Sequence, residues 1–520
     1  MHSTAKLVIA VIGAGTMGRG IVQLFAQSGY SVKLFDQSAE AVANAQDSIN
    51  ERIQNKVTKG RINEEEATAI INRITATTSL NAIGDCGVVI EAIIENIDIK
   101  QNLFVELEQV VSSTAILASN TSSLLVAEIG ARCQQPERVA GLHFFNPVPA
   151  MRVVEIISAV NTSENTVKSL KQLVETTGHR AVVAEDQPGF LINHAGRGLY
   201  TEGLRILEER AASPRQVDQI LRDAADFRMG PFELFDLTGL DVSGKVLESI
   251  YEQFQQEPRF RPSSIIPPRI AAGLHGRKTG KGWYDYSDNT SPGNEAPAQT
   301  ADIQTVSVWI DEGADEYNKL SELVKKAGAQ LTESANQAQL QLIQPWGIDA
   351  TQACADLGLD GRHCVAVDPL PGLEKHRTLM LTPITSEKAK QAAIALLTLD
   401  GVTASVINDS PGFVTQRVLA TIVNIGTNIA QRGIANVADI DDAVSIGLGY
   451  PLGPLSLGDR IGGNKIMKIL EGMLKVTGDM RYRPSFWLRR RASLGQPLTT
   501  EEASRATITS GNINKGGVDK

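Results

Sequence analysis

LVIAVIGAGTMGRGIVQLFAQSGYSVKLFD, residues 7–36, is the stretch that decides the fold of the first half of the chain. An apolar run at 7–12 leads through a glycine-rich turn into an amphipathic segment at 17–28, and a second apolar run follows at 31–35. Strand, turn, helix and strand in this order form the βαβ unit of a parallel sheet. We therefore expect the chain to open with a doubly wound α/β domain.

The turn in this unit carries three glycines at the spacing Gly-x-Gly-x-x-Gly. Gly13 permits a tight turn, Gly15 lets phosphates approach the backbone, and Gly18 lets the helix pack closely on the strand. Asp36 ends the second strand about 20 residues on, where a carboxylate accepts hydrogen bonds from a ribose diol and repels a 2′-phosphate. The motif predicts NAD as cofactor. A plain glycine turn followed by a solvated aspartate is the alternative, and the complete βαβ context argues against it.

The hydrophobic pattern beyond this βαβ unit divides the first half of the chain into domains. A charged helical stretch at 39–73 and short apolar strands at 88–91, 115–118 and 139–144 extend the doubly wound domain over 1–186. Long helical runs without clear strands then predict an all-α domain at 187–286. Residues 287–304 are rich in Pro, Gly, Ser, Asn and Thr, which is typical of a linker.

The helical segment occurs twice. QPGFLINHAGRGL at 187–199 matches SPGFVTQRVLATI at 410–422, and GPFELFD at 230–236 matches GPLSLGD at 453–459. Both pairs are 223 residues apart, so the helices between them match without a gap. We therefore predict a degenerate Rossmann-like domain at 305–408, a second helical domain at 409–500 and a tail at 501–520.

The second α/β copy has lost its glycines. VSVWIDEGADEYNKLSELVKKAGAQL at 306–331 is similar to the first strand, turn and helix, but carries Glu312, Ala314 and Tyr317 in the three glycine positions. Side chains there block the close backbone approach that a pyrophosphate needs. The second copy is not expected to bind a dinucleotide.

Three motifs beyond the glycine turn identify a family: SNTSS at 119–123, GLHFFNPVP at 141–149 and RVVE at 152–155. With the PGF segment, GPFEL and KTGKG at 278–282, they closely resemble the 3-hydroxyacyl-CoA dehydrogenases of fatty-acid and aromatic-acid catabolism. The resemblance covers residues 6–286. It implies NAD-dependent oxidation of (S)-3-hydroxyacyl-CoA to 3-oxoacyl-CoA.

The resemblance also implies catalytic roles. His143 is the general base for the 3-hydroxyl proton, Glu155 binds its imidazole, and Ser122 and Asn193 position the substrate. The chemistry is sound, because histidine titrates near neutral pH and a carboxylate fixes its tautomer. Taken alone, the four residues have plainer interpretations as a core histidine, an exposed acid, a helix cap and a helix-surface amide. Glu155, however, lies in an apolar run where an unpaired charge is costly.

Contacts with the two ligands follow from the same resemblance. The expected NAD contacts, besides the three glycines and Asp36, are Thr16, Met17, Glu95, Lys100, Asn120, Asn146 and Lys278. Arg52 and Lys59, on the basic helix NERIQNKVTKGRI, are expected at the coenzyme A phosphates. A solvated surface is the alternative for all of these charges.

The second copy lacks these groups as well. HCVAVDP at 363–369 takes the place of LHFFNP, with Val365 for His143 and Asp368 for Asn146, and Gln416 replaces Asn193. No glutamate occurs at 378–381, and no KTGxG follows the second helical domain. We expect no second active site. The copy is instead expected to be an intrachain partner for the first helical domain, with a homo-oligomer also open.

The amino-acid composition excludes several classes of protein. The chain has 520 residues, 50 Lys+Arg against 59 Asp+Glu and 42% hydrophobic residues, so it has no basic field for nucleic acid. No signal peptide or membrane span is expected, and the four scattered cysteines suggest neither a disulfide scaffold nor a metal site. A cytoplasmic location is the simplest expectation.

The sequence is compatible with two alternative functions and with more than one acyl chain. A dehydrogenase of free hydroxy acids or sugar acids is the alternative enzyme, and a non-catalytic NAD-binding protein is the alternative of another class. The resemblance extends to members acting on 3-hydroxyadipyl-CoA, in phenylacetate-type degradation, and on 3-hydroxybutyryl-CoA. A dicarboxylic substrate needs a cation near its acyl tail, for which His194, Arg197 and Arg277 are candidates that no spacing separates.

Overall fold

The computed structural model describes residues 7–287 and 303–503, so most of the predicted linker and tail lies outside the described residues. The first half folds as the predicted α/β domain around an eight-stranded sheet. Its strands are Val8–Ile12 (β1), Ser31–Phe35 (β2), Ile74–Thr77 (β3), Val88–Glu91 (β4), Ile116–Ser119 (β5), Val139–Phe144 (β6), Val153–Ser158 (β7) and Arg180–Glu185 (β8).

The strand order is β3-β2-β1-β4-β5-β6-β7-β8, with every neighbouring pair parallel except β6 and β7. The order reverses between β1 and β4, which is where open α/β sheets bind ligands. The helices on its faces are Thr16–Gln27 (α1), Ala39–Thr58 (α2), Glu64–Ile71 (α3), Ile97–Val110 (α4), Val126–Ile129 (α5) and Glu164–Glu175 (α6). The doubly wound prediction is confirmed.

The sequence predicts one helical segment in the charged stretch at 39–73. In the structure this stretch forms two helices, because Asn63 caps the second in a reciprocal capping box with Glu66. The edge strand β3, which pairs with β2, follows directly and was not predicted. Its half-buried alternation of Ile and Thr is a weak signal in sequence.

The first helical domain packs against the carboxyl edge of this sheet. Its helices are Ile192–Ala195 (α7), Arg197–Glu208 (α8), Pro214–Ala225 (α9), Pro231–Thr238 (α10), Leu240–Gln253 (α11) and Ile266–Ala271 (α12). Only isolated bridges, such as that between Gly276 and Lys281, interrupt the helical pattern between 187 and 286.

The second half repeats this architecture with a smaller sheet. Its strands are Ser307–Ile310 (β9), Gln330–Leu331 (β10), Leu340–Ile343 (β11), Cys364–Val367 (β12), Arg377–Leu381 (β13) and Ala404–Ile407 (β14), in the order β10-β9-β11-β12-β13-β14. Its helices are Tyr317–Lys326 (α13), Ala350–Asp356 (α14), Glu387–Leu397 (α15), Val414–Gln431 (α16), Val437–Asp442 (α17), Pro454–Ile461 (α18), Gly463–Thr477 (α19) and Phe486–Ser493 (α20).

Strand pairing shows which strands of the two sheets correspond. The antiparallel pair β12 and β13, followed by parallel β14, repeats the pattern of β6, β7 and β8. Asp186 accepts hydrogen bonds from the first turn of α5, and Asp409 accepts them from the first turn of α14. Helix α14 therefore corresponds to α5 and β11 to β5. Within residues 303–503, β3 and β4 have no counterparts.

The same pairing corrects one match made from sequence. In the first sheet Gly141 pairs with both Ser119 and Ile157, and in the second Ala366 pairs with Ile343 and Met380. His143 lies two residues after Gly141, and Asp368 lies two residues after Ala366. Asp368 therefore occupies the register position of His143. The assignment of Val365 to that position was wrong, because aligning the two Asx-Pro pairs hid a difference in loop length.

The two helical domains pack directly on each other through α8 and α16. At their centre the guanidinium of Arg417 donates to Glu202 at 2.7 Å, and both side chains are fully buried. Arg417 also reaches Glu209 at 2.7 Å and the hydroxyl of Tyr482 at 3.2 Å. One continuous hydrophobic core runs through both domains.

Candidate active site

The glycine turn lies at the switch point between β1 and β4. Gly13 has φ +107°, and a Cβ added there would lie 2.6 Å from the carbonyl oxygen of Ala92. A Cβ on Gly18 would lie 1.8 Å from the carbonyl oxygen of Gly13. At Gly15 no atom lies within 4 Å of an added Cβ. Two glycines are thus required by the protein itself, while the third leaves backbone open to an approaching ligand, at the N-terminus of α1.

A cavity of about 790 Å³ adjoins this turn, and Asp36 stands on its wall. The carboxylate accepts hydrogen bonds from Ala14 N at 2.9 Å and Ser38 N at 3.0 Å, which fix its orientation. Apolar walls, an open glycine backbone and a fixed acid fit a dinucleotide whose ribose has a free diol. The residues present therefore fit NAD. Thr16 is exposed and Met17 half-buried in the first turn of α1.

His143 and Glu155 face each other across β6 and β7. Nδ1 of His143 lies 2.5 Å from Oε2 of Glu155, a carboxylate with no exposed surface. Its other oxygen, Oε1, accepts from Leu191 N at 3.0 Å and Ile192 N at 2.7 Å. The start of α7 thus binds one oxygen of the Glu155 carboxylate, and the imidazole of His143 contacts the other oxygen. Phe190, with its ring centroid 5.8 Å from that of His143, completes the apolar wall.

The proton arrangement of this pair follows from the contacts. A carboxylate that accepts two backbone N–H groups is held in its acceptor form, so Nδ1 of His143 carries the proton that it donates to Glu155. Nε2 then presents its lone pair. Within the described residues Nε2 has no hydrogen-bond partner, so it is free to accept a proton from a ligand.

Ser122 and Asn193 flank this histidine on separate elements. Ser122 is exposed in the loop after β5, the neighbour of β6, and Asn193 follows Ile192 in the first turn of α7. Neither the hydroxyl of Ser122 nor the side-chain amide of Asn193 bonds to another of the described residues. The fold therefore brings Ser122, His143 and Asn193 to one edge of the sheet with polar groups still unpaired.

The SNTSS loop is held by a network of hydrogen bonds around Glu95, whose side chain is 35% exposed. Its Oε1 accepts from the hydroxyl of Thr121 at 2.5 Å and from Ser122 N at 3.1 Å. Burial raises the pKa of Glu95, but the hydrogen bonds from Thr121 and Ser123 and the charge of Lys100 outweigh it, and the net shift is downward. Glu95 is therefore ionised and fixes the loop that carries Ser122.

Lys100 is buried behind this loop rather than displayed in the crevice. Its ammonium lies 2.6 Å from Glu91 and 3.3 Å from Glu95, and 1% of the side chain is exposed. Glu91, which also accepts from the hydroxyl of Ser119, was missed by the sequence analysis. An acidic residue ending a buried strand was the available signal, because such a charge needs a partner.

The remaining predicted ligand contacts lie on several separate elements. Asn120 accepts from Phe144 N at 2.8 Å through its side chain, and Asn146 is exposed just beyond β6. Lys278 forms an ion pair of 2.5 Å with Asp241 in the helical domain. Arg52 and Lys59 are exposed on and after α2. No group of metal-ligating side chains occurs in the part of the chain that the structure describes.

The corresponding site of the second copy is filled by its own side chains. Gln416, in the position of Asn193, accepts from Gly347 N at 2.8 Å and donates to Asp368 at 3.0 Å. Thr415 also donates to Asp368, whose pKa burial raises to about 6. Trp346 lies three residues after the end of β11, as Ser122 lies three residues after the end of β5. These polar groups are satisfied within the protein and leave no free base.

Comparison with known families gives two matches that cover most of the chain. Residues 8–187 match the NAD binding domain of 3-hydroxyacyl-CoA dehydrogenase. Residues 189–286 and 412–504 both match the C-terminal domain of 3-hydroxyacyl-CoA dehydrogenase. The second match covers both helical segments that the sequence repeat predicted.

Individual relatives agree with these matches. The chain is 36% identical over 486 residues to 3-hydroxyadipyl-CoA dehydrogenase of Escherichia coli K12, covering 94% of this chain and 97% of that protein. It is 36% identical to a probable 3-hydroxybutyryl-CoA dehydrogenase of Bacillus subtilis, covering 54% of this chain and 98% of that one. The crystal structure of 3-hydroxybutyryl-CoA dehydrogenase from E. coli K12 superposes with a TM-score of 0.84 at 34% identity, covering 94% and 98% of the two chains.

Proposed function

This chain belongs to the 3-hydroxyacyl-CoA dehydrogenase family, and we propose that its first copy performs the family's reaction with His143 as general base. The protein is an NAD-dependent oxidoreductase that oxidises 3-hydroxyacyl-CoA thioesters. The observation that carries the residue assignment is the free Nε2 of His143, whose other nitrogen is fixed by a buried carboxylate.

The proton step uses only groups of this chain. Nε2 of His143 accepts the proton of the substrate 3-hydroxyl, while the C3–O bond becomes a carbonyl and the (S)-3-hydroxyacyl group becomes 3-oxoacyl. NAD, when bound, supplies the acceptor for the hydride that leaves C3. The positive charge that forms on the imidazole is stabilised by Glu155 across 2.5 Å.

Glu155 acts as a positioning residue. Two backbone N–H groups of α7 and the apolar strand β7 hold its carboxylate, so the imidazole is kept in one tautomer and one orientation. A free Nε2 is useful only when Nδ1 carries the proton, because a neutral imidazole has one donor and one acceptor. The buried carboxylate enforces that choice.

Ser122 and Asn193 are the proposed donors to the substrate. Both are neutral and unpaired, so each can donate to the 3-oxygen or the thioester carbonyl without a change in net charge. The two residues are held in place by different contacts. Ser122 is fixed by the hydrogen bonds of Glu95, and Asn193 by the turn that also binds Glu155.

The ligand contacts are proposed as follows. Thr16, Met17, Asn120, Asn146 and Lys278 contact NAD together with the glycine turn and Asp36. Glu95 and Lys100 act from behind the SNTSS loop, an assignment that the burial of Lys100 supports. Arg52 and Lys59 bind the phosphates of coenzyme A, which their exposure on a basic helix supports.

For the second copy we propose a structural role as intrachain partner of the first. The buried contact between α8 and α16 supports this, because it provides the apolar partner face that a single copy would need from another chain.

Further homo-oligomers, a cytoplasmic location and a place in aromatic-acid or fatty-acid catabolism are also proposed. Four free cysteines support a reducing compartment. Among the described residues, no helix has both the length and the apolar character needed to cross a bilayer.

The experiment that tests the proposal follows NADH formation from (S)-3-hydroxybutyryl-CoA and (S)-3-hydroxyadipyl-CoA beside their free acids. Wild type should oxidise the thioesters only. His143→Ala should lower kcat by about 100- to 10,000-fold, the usual contribution of a general base. His363→Ala, at a partly exposed histidine before β12, is the matched control and should leave kcat unchanged. Turnover of the free acids, or full activity of His143→Ala, would contradict the proposal.

A further inference from the structure

A buried ion pair lies at the centre of the first sheet, apart from the catalytic groups. Glu91 ends β4, between β1, which leads into the glycine turn, and β5, which leads into the SNTSS loop. Its side chain has no exposed surface, and its carboxylate lies 2.6 Å from the ammonium of Lys100, of which 1% is exposed. Two charges removed from water are costly unless their remaining hydrogen bonds are made. The further partners of these two side chains therefore decide what the pair can do.

Glu91 uses both of its carboxylate oxygens. Oε2 accepts from the hydroxyl of Ser119 at 2.6 Å, and that hydroxyl oxygen accepts in turn from Thr121 N at 3.2 Å. Oε1 accepts from the ammonium of Lys100 and from Ile93 N, the latter at 2.7 Å. Ile93 lies on the wall of the cofactor cavity. One side chain thus holds the first residue of the SNTSS loop, part of the cavity wall and a buried cation.

Lys100 extends these contacts to Glu95. Its ammonium lies 3.3 Å from Oε2 of Glu95, so it bridges the two carboxylates. The other oxygen of Glu95 accepts from Ser122 N at 3.1 Å and from the hydroxyl of Ser123 at 2.9 Å. Burial raises the pKa of Glu95, while the hydrogen bond from Thr121 and the charge of Lys100 lower it. Without the ammonium, Glu95 would be a weaker acceptor for the backbone that carries Ser122.

We propose that Glu91 and Lys100 are positioning residues for the substrate. Resting on the proposed function, in which Ser122 donates to the substrate, the pair fixes the SNTSS loop in the geometry that this donation requires. Glu91 orients the ammonium, the ammonium orients Glu95, and Glu95 holds Ser122 N. A displacement of about 1 Å at a substrate-positioning group can lower the rate by about 100-fold, even when the altered residue is remote from the reacting atoms.

The proposed cofactor contact of the same loop is held independently of this pair. The side chain of Asn120 accepts from Phe144 N at 2.8 Å, and its backbone N–H donates to the carbonyl oxygen of Glu91. Neither contact involves the carboxylate of Glu91 or the ammonium of Lys100. Loss of the ion pair should therefore disturb the substrate side of the loop and leave the affinity for NADH nearly unchanged.

The second copy supports this assignment, because it lacks the strand that carries Glu91. Within residues 303–503 no strand corresponds to β4, and β11, the counterpart of β5, pairs directly with β9. The register position of Ser119 is occupied there by Ile343, which has no hydroxyl to donate. The copy without a catalytic base has thus lost the positioning pair as well.

The test measures the melting temperature, the dissociation constant of NADH and steady-state kinetics with (S)-3-hydroxybutyryl-CoA. Glu91→Gln and Lys100→Met each leave one buried charge without its partner and should lower the melting temperature. Each should also lower kcat/KM for the thioester by about 10- to 100-fold, with the dissociation constant of NADH within about threefold of wild type. Glu91→Gln keeps an oxygen that can accept from Ile93 N, which preserves the wall of the cofactor cavity.

The double variant separates positioning from stability. Glu91→Gln combined with Lys100→Met removes both buried charges, so the melting temperature should return towards that of wild type. The loss of kcat/KM should remain, because Glu95 still lacks the ammonium. The matched control is Glu108→Gln, which breaks a buried pair of 3.4 Å with Arg138 in the same domain. It should lower the melting temperature and leave kcat/KM unchanged.

The other outcomes are distinguishable. Recovery of kcat/KM together with the melting temperature in the double variant overturns this inference, as does an equal kinetic loss in Glu108→Gln. A tenfold or larger rise in the dissociation constant of NADH for Lys100→Met also overturns it, since Lys100 would then act on the cofactor. If these variants fail to fold, Ser119→Ala decides. It removes one hydrogen bond to Glu91 and should lower kcat/KM by about fivefold, and an unchanged value overturns the inference. Failure of wild type to oxidise the thioester overturns the proposed function and this inference with it.

Discussion

The two copies in this chain share a fold but differ in where their polar groups find partners. In the first, Nε2 of His143 and the side chains of Ser122 and Asn193 have no partners among the described residues. In the second, Asp368, Thr415 and Gln416 bond to one another and to the backbone. An active site needs unsatisfied groups held in fixed positions, whereas the corresponding polar groups of the second copy are paired with one another and with the backbone.

The contrast extends to the cofactor turn. Gly15 leaves open backbone at the start of α1, while in the second copy α13 begins only at Tyr317, after a turn that carries Glu312 and Ala314. The second sheet has also lost the counterparts of β3 and β4 within the described residues. What persists is the helical domain, which packs on the first copy through α8 and α16. The second copy has retained its packing surface and lost its ligand site.

The largest expected difference between the copies concerns the acid partner of the base. Glu155→Gln keeps the shape but removes the charge that fixes the tautomer of His143, and should lower kcat by about 1,000-fold with a smaller change in KM. Thr378→Val, at the corresponding register position of β13, should leave kcat unchanged. Steady-state kinetics on both variants decide this. Comparable losses in the two would show that the second copy takes part in catalysis.

A smaller effect is expected at the contact between the copies. Arg417→Met leaves Glu202 buried without its counter-ion, and should lower the free energy of unfolding by about 3 kcal/mol. The control is Arg489→Met, which breaks a half-exposed pair with Glu471 and should cost about 0–1 kcal/mol. Denaturant unfolding monitored by circular dichroism measures both. Equal costs would argue against a structural role for this interface.

Much of this fold could be predicted because its signals are local. The glycine turn, Asp36 and the alternation of strands and helices each depend on nearby residues. The repeat of the PGF helix is found by comparing two short segments, each of which is local. The position of Asp368 could not be predicted, since it depends on hydrogen-bonded register between strands and similar Asx-Pro pairs suggested a different alignment. Sequence pattern carries little information about register when both faces of a strand are buried.

The candidate site shows the same division. His143, Glu155, Ser122 and Asn193 were predicted from motifs. The order of the strands brings Ser122, His143 and Glu155 to one edge of the sheet, and the hydrogen bonds from the start of α7 to Glu155 bring Asn193 there. Glu91 was missed because its partner Lys100 lies on the next helix, beyond a loop. The contact of Tyr450 in the second copy with Phe227 in the first was also missed, because it joins residues about half the chain apart and has no periodic signature.

The central claim is that each chain holds one working site, and calorimetric titration with NADH tests it most directly. Wild type should bind one NADH per chain. Gly15→Ala should abolish that binding without loss of stability, since a Cβ there meets no protein atom within 4 Å and would intrude only on the ligand. Gly313→Ala, in the corresponding turn of the second copy, should leave the stoichiometry at one. Two NADH per chain, or a loss of binding in Gly313→Ala, would contradict the account.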